Sequence, residues 1–394
     1  MRSRTTALPY ILVLSCAWPM LAGAAQASFN PDISLLLDGR ATDLEFGDVD
    51  REVPGFLLSP EVGAGTDGFS LGEAELAISS NIDDRFYGYV TVALGSDAGE
   101  TSVELEEAYI ETLSLPDGLT LKAGRFLSHS GYQNALHPHS WDFVDASLPQ
   151  QVLLGGNFAD VGAQLRWVAP TDLYLELGAE VFQGDSFPAG GASSTWVAYA
   201  KLGGDFNDSH SWIAGLAHMS ARATDREYAT DAAIDPPVLF SGDSALDIID
   251  FTWKWSPRGN WHQRNAVLSA AYYRRSEDGA VQLQLDPTPE LGTYVGDQTG
   301  FYVQGTYMFV QRWRFGVRYD HLSADNTVAG LSQSIVLDDD AHSPHRVSAM
   351  LDFSHTEFSR IRLQYNLDSS GPVSERQIYL QYIMSMGPHG AHRF

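Results

Sequence analysis

The sequence has few of the residues on which several common protein classes depend. Its 394 residues include one cysteine and three lysines, and no apolar run beyond the N-terminal segment reaches the ~20 residues of a transmembrane helix. The one cysteine, Cys16, lies in that N-terminal segment, so a processed chain would hold neither disulfides nor thiolate metal sites. A formal net charge of -26 argues against nucleic acid as a partner, because such binding depends mainly on a basic surface.

The N-terminal segment has the features of a secretory signal peptide. Arg2 and Arg4 supply positive charge, and residues 7–18 form the apolar stretch. A closing Ala-Gln-Ala fits the small-x-small cleavage pattern, which predicts a signal peptide over residues 1–27 and a mature chain over 28–394. A lipoprotein signal cleaved before the cysteine is the alternative, but VLSC matches it poorly and cleavage there would truncate the apolar stretch.

Beyond residue 28 the chain shows almost no helical periodicity, and apolar residues alternate with polar ones instead. In RWRFGVRYD, residues 312–320, aromatic and aliphatic side chains share one face and arginines share the other. Such segments have about ten residues each, the length of a tilted strand in a membrane barrel. The segments are 32–43, 69–80, 85–95, 103–114, 119–126, 161–169, 173–183, 195–205, 211–221, 246–256, 264–274, 300–310, 312–322, 345–355, 359–367 and 376–385.

The connections between these segments alternate in length, and short ones follow the even-numbered segments. Outer-membrane barrels have tight periplasmic turns and longer outer loops, so the pattern predicts an all-β fold, a transmembrane antiparallel β-barrel of about 16 strands. Aromatic residues near the segment ends are typical of girdles at the two membrane interfaces. We therefore expect the protein in the bacterial outer membrane, in contact with lipid and lipopolysaccharide, with about 14 or 18 strands as the alternatives.

The longest interruption between the segments spans residues 126–160. A connection of this length inside a compact domain is usually functional or disordered. Aromatic residues such as Tyr132, Trp141 and Phe143 argue against disorder. We predict that this third outer loop folds inward and acts as a constriction loop.

Assigning the polar face of each strand to the barrel interior predicts two charged walls. The pore-lining acidic residues would be Glu73, Glu75, Glu107, Glu111, Glu176 and Glu180. The pore-lining arginines would be Arg312, Arg314, Arg318, Arg360 and Arg362. Asp142 and Asp145 of the constriction loop would lie across the pore from these arginines. The alternative is that the arginines pair with neighbouring acids such as Asp320 and Asp352.

Four blocks of the sequence carry a further signal: VELEEAYIETL with GLTLKAGRF (103–126), HPHSWDFVDA (137–146), the block from LGGNFADV to FPAGG (154–191) and the closing GPHGAHRF (387–394). They resemble a group of bacterial outer-membrane porin-like proteins, related in pattern to phosphate-selective porins and often called zinc-regulated TonB-dependent outer-membrane receptors. The resemblance implies a porin-like barrel and zinc-linked regulation. The first predicted strand begins a few residues after Ser28, which leaves no room for the plug of a TonB-dependent receptor. We therefore do not expect TonB-coupled uptake.

Two histidines of the predicted constriction loop, His137 and His139, flank Pro138 close to Asp142 and Asp145. Imidazole and carboxylate together suit zinc, so these histidines are candidate metal ligands. The spacing does not fix both rings toward one point, and hydrogen bonding within the loop is the alternative. We expect no cofactor, with a divalent cation bound in a loop as the alternative.

These features favour an outer-membrane porin-like channel for passive diffusion of small polar or charged solutes. We expect no enzyme activity, and analogy with porins predicts a homotrimer. A zinc-regulated outer-membrane receptor that takes up metal is the alternative. A phospholipase-type barrel hydrolase is the lesser alternative, because the sequence offers no nucleophile elbow: its one GxSxG match, residues 68–72, falls at the start of a predicted strand and not at a strand-to-helix turn.

Overall fold

A computed structural model describes residues 31–47, 52–59, 62–63, 65–97, 100–191, 195–228, 237–285, 287–332, 335, 337 and 342–387. The side chains at positions 73, 96, 97, 100 and 101 lie outside this description, so the side chain of the predicted pore residue Glu73 is outside it too. The predicted signal peptide over 1–27 and the closing residues 388–394 also lie outside the described residues.

The described strands form one closed antiparallel barrel, which confirms the predicted fold class and the count of 16. Each strand pairs with its neighbours in the sequence, and the first strand closes the sheet against the last. The strands are β1 (Asp32–Leu44), β2 (Gly68–Asn81), β3 (Phe86–Asp97), β4 (Glu100–Thr112), β5 (Leu119–Leu127), β6 (Ala159–Val168), β7 (Tyr174–Phe182), β8 (Thr195–Asn207), β9 (His210–Tyr228), β10 (Val238–Trp255), β11 (Ala266–Leu283), β12 (Glu290–Val310), β13 (Trp313–Ala329), β14 (His345–Thr356), β15 (Ser359–Ser369) and β16 (Glu375–Met386).

The outward face of the barrel is apolar and the inward face is polar. On β15, Ile361 and Leu363 are 44% and 49% exposed. Arg362, which lies between them, and Gln364, which follows, are fully buried. A water-soluble sheet would present the opposite pattern, because polar side chains would face solvent. This arrangement is that of a membrane barrel whose outer surface contacts lipid.

The strands differ in length around the barrel. Strands β9 to β13 have 17 to 21 residues, whereas β5 to β7 have 9 or 10, close to the ~9–11 that cross a membrane. The extra residues carry outward ion pairs, such as Arg222 with Asp243 and Arg274 with Asp297. The predicted segments for β9 to β13 were too short, because the contrast between an apolar and a polar face is lost beyond the lipid.

In the residues that the structure describes, helices occur between strands and not within them. Among the described residues, the one α-helix is α1 (Leu148–Leu154), which has a proline in its first turn and ends at Gly155 with a φ of 73°. Single 3₁₀ turns occur at Pro116–Gly118, Pro138–Ser140 and Pro257–Gly259. No helix in the described part of the chain is long and apolar enough to cross a membrane.

Two connections pack against the inward faces of the strands. We call residues 128–158, between β5 and β6, the L3 segment, and residues 52–59, between β1 and β2, the L1 segment. Val152 and Leu153 of the L3 segment and Phe56 of the L1 segment join one hydrophobic cluster with side chains from β8 to β13. The apolar core of the molecule is therefore built partly from connections.

Candidate functional site

The start of the L3 segment is attached to carboxylates of β7. Glu180 accepts hydrogen bonds from the Ser128 hydroxyl and the His129 amide, at 2.5 and 3.0 Å. Gln164 on β6 donates to the same carboxylate at 2.7 Å. His129 Nδ1 lies 3.3 Å from Glu176. Two of the glutamates predicted to line the pore are therefore bonded to the L3 segment.

A second group, the acidic histidine cluster, joins the L3 segment to β2 and β4. It consists of Glu75, Glu106, Glu107, His137 and His139. His137 Nε2 lies 2.9 Å from Glu107, while its Nδ1 lies 3.5 Å from Glu106 and 3.7 Å from Glu75. His139 Nδ1 lies 2.7 Å from Glu75, and the two imidazole rings stack at 5.6 Å. The structure thus brings both candidate metal ligands together with two predicted pore glutamates.

The carboxylates of this cluster favour positive charge at His137. Burial disfavours the imidazolium, but the carboxylates of Glu106, Glu107 and Glu75 raise the pKa of His137 well above its ordinary value. His129 is different, because burial, together with other nearby charges, lowers its pKa well below the ordinary value. The surroundings therefore favour the charged form of His137 and the neutral form of His129.

Glu106 belongs to the cluster because of an irregularity in β4. Thr91 pairs with Glu107 and Val92 pairs with Leu105, so Glu106 is the extra residue of a β-bulge. Strict alternation would place Glu106 on the opposite face from Glu107, and sequence reasoning missed it for that reason. The available signal was an acidic residue at a position where the alternation expects a lipid-facing side chain.

The aspartates of the L3 segment bind the arginines of β13 directly. Arg314 donates hydrogen bonds to Asp142 and, at 2.8 Å, to Asp352 of β14. Arg318 donates to Asp320 of its own strand at 2.9 Å. The arginines therefore pair both with neighbouring acids, as the sequence-based alternative expected, and with the L3 segment.

Asp145 is the main anchor of the L3 segment on this side. Arg318 and Arg346 donate to its carboxylate at 2.8 and 2.9 Å, and the amides of Gln364 and Asn366 donate at 2.7 and 3.0 Å. Burial alone would raise its pKa, but the two guanidinium groups lower the pKa of Asp145 to about 2. Sequence reasoning missed Arg346, although alternation along β14 puts it on the polar face.

The arginines of β15 bind main-chain carbonyls of the L3 segment. Arg360 donates to the carbonyl of His139 at 2.9 Å, and Arg362 donates to that of Trp141 at 3.0 Å. Arg362 is fully buried and also lies 3.6 Å from Asp352. The four predicted arginines of β13 and β15 therefore all contact the L3 segment or its aspartates.

Two predicted pore residues have other environments. Arg312 is exposed in the turn between β12 and β13 with a φ of 74°, so its predicted place beside Arg314 was wrong. The cause is the tight turn, which takes two residues before β13 begins. Glu111 lies inside but pairs with Arg166 of β6 at 3.2 Å and lies 3.9 Å from Lys122 of β5, so it faces basic side chains of the neighbouring strands.

The L1 segment has its own polar attachment, which sequence reasoning missed entirely. Gln298 and Asn326 donate to the carbonyl of Gly55 at 2.7 and 2.8 Å. Arg226 and Glu277 form a buried ion pair at 2.9 Å elsewhere in the barrel, and Arg226 donates to the carbonyl of Pro188 in the connection between β7 and β8. All four side chains lie in the extended parts of β9 and β11 to β13 that the alternation did not reveal.

Two cavities lie beside the L3 segment. The larger cavity has a volume of about 970 Å³, and Arg125 and Asp145 are among the residues that line it. The smaller cavity has a volume of about 530 Å³ and is lined in part by Glu107. Leu127 and His137 are the residues that line both. The acidic histidine cluster therefore lies where the two cavities meet.

The fold resembles solved outer-membrane proteins, while no family model matches the chain. A loop L8 deletion mutant of OmpT, an outer membrane protein of Vibrio cholerae, has a TM-score of 0.57 at 13% identity, covering 91% of this chain and 99% of that one. An anion-selective porin from Comamonas acidovorans has a TM-score of 0.55 at 8% identity, with the same coverages. The outer membrane channel DcaP of Acinetobacter baumannii has a TM-score of 0.54 at 14% identity, covering 91% of this chain and 97% of that one.

These TM-scores show a shared fold. The apolar outward face is the one that lipid would cover, so the chain is a β-barrel of the bacterial outer membrane. The resemblance to the zinc-regulated group stays a prediction. A protein of Aquifex aeolicus (strain VF5), described as an uncharacterized protein, is 30% identical over 407 aligned positions. The alignment covers 94% of this chain and 81% of that protein. The chain therefore belongs to the same family as this Aquifex aeolicus protein.

Proposed function

We propose that the protein is a porin-like channel through which small polar or charged solutes diffuse passively across the outer membrane. The observation that carries this proposal is the pair of cavities beside the L3 segment, inside a closed barrel of 16 strands. Barrels of about this size enclose an aqueous channel. The polar inward face described above would line such a channel.

The L3 segment acts as the constriction loop in this proposal. It bonds to Glu180 on β7 and to Arg362 on β15, whose strands are eight places apart in either direction around the ring of 16. A segment that bonds to the inward faces of opposite strands crosses the interior. Solutes would therefore pass beside the L3 segment, through the two cavities.

The walls of the path differ from the pair of charged walls that the sequence predicts. The arginines of β13 to β15 are occupied by Asp142, Asp145 and main-chain carbonyls of the L3 segment. Glu75 and Glu107 pair with His137 and His139, but the two cavities together are lined by eight carboxylate side chains and four arginine or lysine side chains. Charges in a narrow pore with low-dielectric walls act strongly on passing ions. We therefore propose a preference for cations.

A homotrimer and the absence of enzyme activity belong to the same proposal. One of the structures of Vibrio cholerae OmpT is a trimer form, with a TM-score of 0.54 at 11% identity to this chain. Against a hydrolase, the Ser128 hydroxyl donates to Glu180, whereas His129 bonds to Glu176. A serine nucleophile would need the imidazole itself as its base.

Single-channel recording in planar lipid bilayers tests the proposal. Purified protein should insert and produce discrete conductance steps in potassium chloride. A salt gradient should give a reversal potential of the sign expected for cation preference. Protein that folds and inserts but gives no conductance would refute the channel, and anion preference would refute the proposed path along the glutamates.

A further inference from the structure

The place where the two cavities meet has the donor atoms of a metal site. His137 Nδ1 and carboxylate oxygens of Glu75 and Glu106 all lie within 4.8 Å of one another. The imidazole nitrogen is 3.5 Å from Glu106 Oε2 and 3.7 Å from Glu75 Oε2. With metal–ligand bonds of ~2.1 Å, ligand atoms in a tetrahedral shell lie roughly 3.4 Å apart, so small movements would complete the site.

The neighbouring groups orient these donors as supporting residues do in metalloproteins. His137 Nε2 faces Glu107 at 2.9 Å, so a proton on Nε2 leaves the lone pair of Nδ1 facing the other two glutamates. A histidine ligand commonly donates its second ring nitrogen to a carboxylate in this way. His139 holds one oxygen of Glu75 at 2.7 Å, which directs the other oxygen toward His137. Glu107 is itself fixed by the amide of Leu127 at 3.0 Å.

The carboxylate of Glu106 provides a separate observation. Its Oε2 is buried and has no hydrogen-bond partner among the described residues, and the nearest imidazole nitrogen is 3.5 Å away. The 3.5 Å separation from His137 is too long for a good hydrogen bond, whereas a metal ion between the two atoms would bind both of them. The β-bulge of β4 turns this side chain inward, and bulges often redirect a side chain at functional sites.

We infer that His137, Glu75 and Glu106 bind a divalent first-row transition-metal ion, with Glu107 and His139 as positioning residues. The imidazole ligand favours ions such as Zn²⁺ over Mg²⁺ and Ca²⁺, which prefer oxygen ligands alone. Three protein ligands leave coordination positions for water, so the ion can exchange. Binding releases the proton held at Nδ1 to solvent. The inference rests on the proposed channel in one respect: the bound ion would be a permeating solute.

Calorimetric titration of Zn²⁺ into the EDTA-treated, dialysed barrel in detergent tests the site itself. The wild-type protein should bind one Zn²⁺ per chain, with no comparable heat from Mg²⁺ or Ca²⁺. E106Q should raise the Kd for Zn²⁺ by more than about tenfold, since even the loss of a supporting residue typically costs about 10–100-fold. E104Q is the matched control, because Glu104 lies on the same strand, lines the larger cavity and is 66% exposed in its ion pair with Arg125. Its Kd should equal that of the wild type.

The positioning role of Glu107 and the fold of each variant need separate readouts. E107Q should weaken Zn²⁺ binding while keeping one site per chain, and migration on unboiled gels should show that every variant is a folded barrel. If E106Q fails to fold, H137Q takes its place in the titration. The wild type should then bind Zn²⁺ and H137Q should bind it more weakly. No Zn²⁺ binding to the wild type, or equal affinity in E106Q and E104Q, would overturn the inference.

Potassium current in bilayers separates this inference from the proposed channel. Zn²⁺ added to one side should reduce the wild-type current, and the block should be lost in E106Q but kept in E104Q. A protein that conducts potassium without binding Zn²⁺ would retain the channel and reject the site. A protein that binds Zn²⁺ without conducting would retain the site and reject its role in permeation.

Discussion

Asp145 shows how much of the arrangement depends on single buried side chains. Its carboxylate receives two guanidinium groups and two amides from β13, β14 and β15. Arg318 and Arg346 are also paired with Asp320 and Asp368, so each guanidinium lies between a strand acid and this acid of the L3 segment. Removing one partner of such a buried network leaves charge without full compensation.

We expect Asp145→Asn to destabilise the attachment of the L3 segment by roughly 3–5 kcal/mol, the usual cost of breaking a buried ion pair. The measurement is denaturant unfolding of the barrel in liposomes, followed by tryptophan fluorescence, since Trp141 lies in the L3 segment. Asp297→Asn is the matched control, because its ion pair with Arg274 is outward and about half exposed. That change should cost about 1 kcal/mol or less. Equal effects of the two substitutions would contradict this role of Asp145.

The depressed pKa of Asp145 predicts how this attachment responds to acid. The ordinary pKa of an aspartate is 3.8. Burial raises the pKa of Asp145, but Arg318 and Arg346 outweigh burial and lower it to about 2. The same two arginines also contact Asp320 and Asp368. A lowered carboxyl pKa contributes stability above the ordinary value, and this stability is lost as the pH falls toward 2. The stability difference between wild type and Asp145→Asn should therefore shrink from pH 5 to pH 2. A difference that stays constant over this range would show that ionisation of Asp145 does not contribute.

At the scale of elements, the strands were predictable because each is specified locally, whereas the contacts of the L3 segment were not. Alternation over about ten residues reveals a strand and its inward face. It fails where the backbone departs from the period, as at the bulge of Glu106 and the turn of Arg312. The partners of Asp145 lie 173 and 201 positions away in the sequence, and no local pattern specifies such pairs.

The L3 segment can be removed without removing any strand. Deleting residues 133–148 should leave the barrel folded and raise single-channel conductance, because in the proposed channel the segment occupies interior space and it does not contribute to the sheet. The arginines that it covers, Arg318 and Arg346 among them, would face water, so selectivity should shift toward anions. Removing residues 371–373, part of the exposed β15–β16 connection, is the control and should change neither quantity. Unchanged conductance in the folded 133–148 deletion would show that the L3 segment does not set the aperture.

The glutamates of the acidic histidine cluster and the arginines of β13 and β15 should contribute unequally to ion selectivity. Replacing Glu75 and Glu107 with Gln removes carboxylates that line the smaller cavity, so the reversal potential in a salt gradient should shift toward anions. Replacing Arg314 and Arg362 with Ala should shift it less, and toward cations, because the L3 segment covers both side chains. A larger shift from the arginine pair would place the path along β13 to β15 instead.

At the scale of the whole molecule, closure of the sheet explains both stability and location. Every strand has two hydrogen-bonded neighbours, including β1 with β16, so the described sheet presents no edge to lipid or detergent. The outward face is apolar along the length that lipid would cover, while the extended ends of β9 to β12 bear outward ion pairs. The molecule therefore has a defined membrane band and a taller wall on one side.

This closure predicts heat-modifiable migration. A sheet without edges resists dodecyl sulfate at room temperature, because the detergent finds no unpaired strand at which to begin unfolding. Protein from the outer-membrane fraction should therefore migrate differently on gels before and after boiling, and chemical crosslinking before solubilisation should show whether three chains associate. The Asp145→Asn variant should keep the heat-dependent shift, since the L3 segment does not contribute to the sheet. Recovery of the wild-type protein as a soluble periplasmic species, with identical migration before and after boiling, would contradict a membrane band built from the outward face.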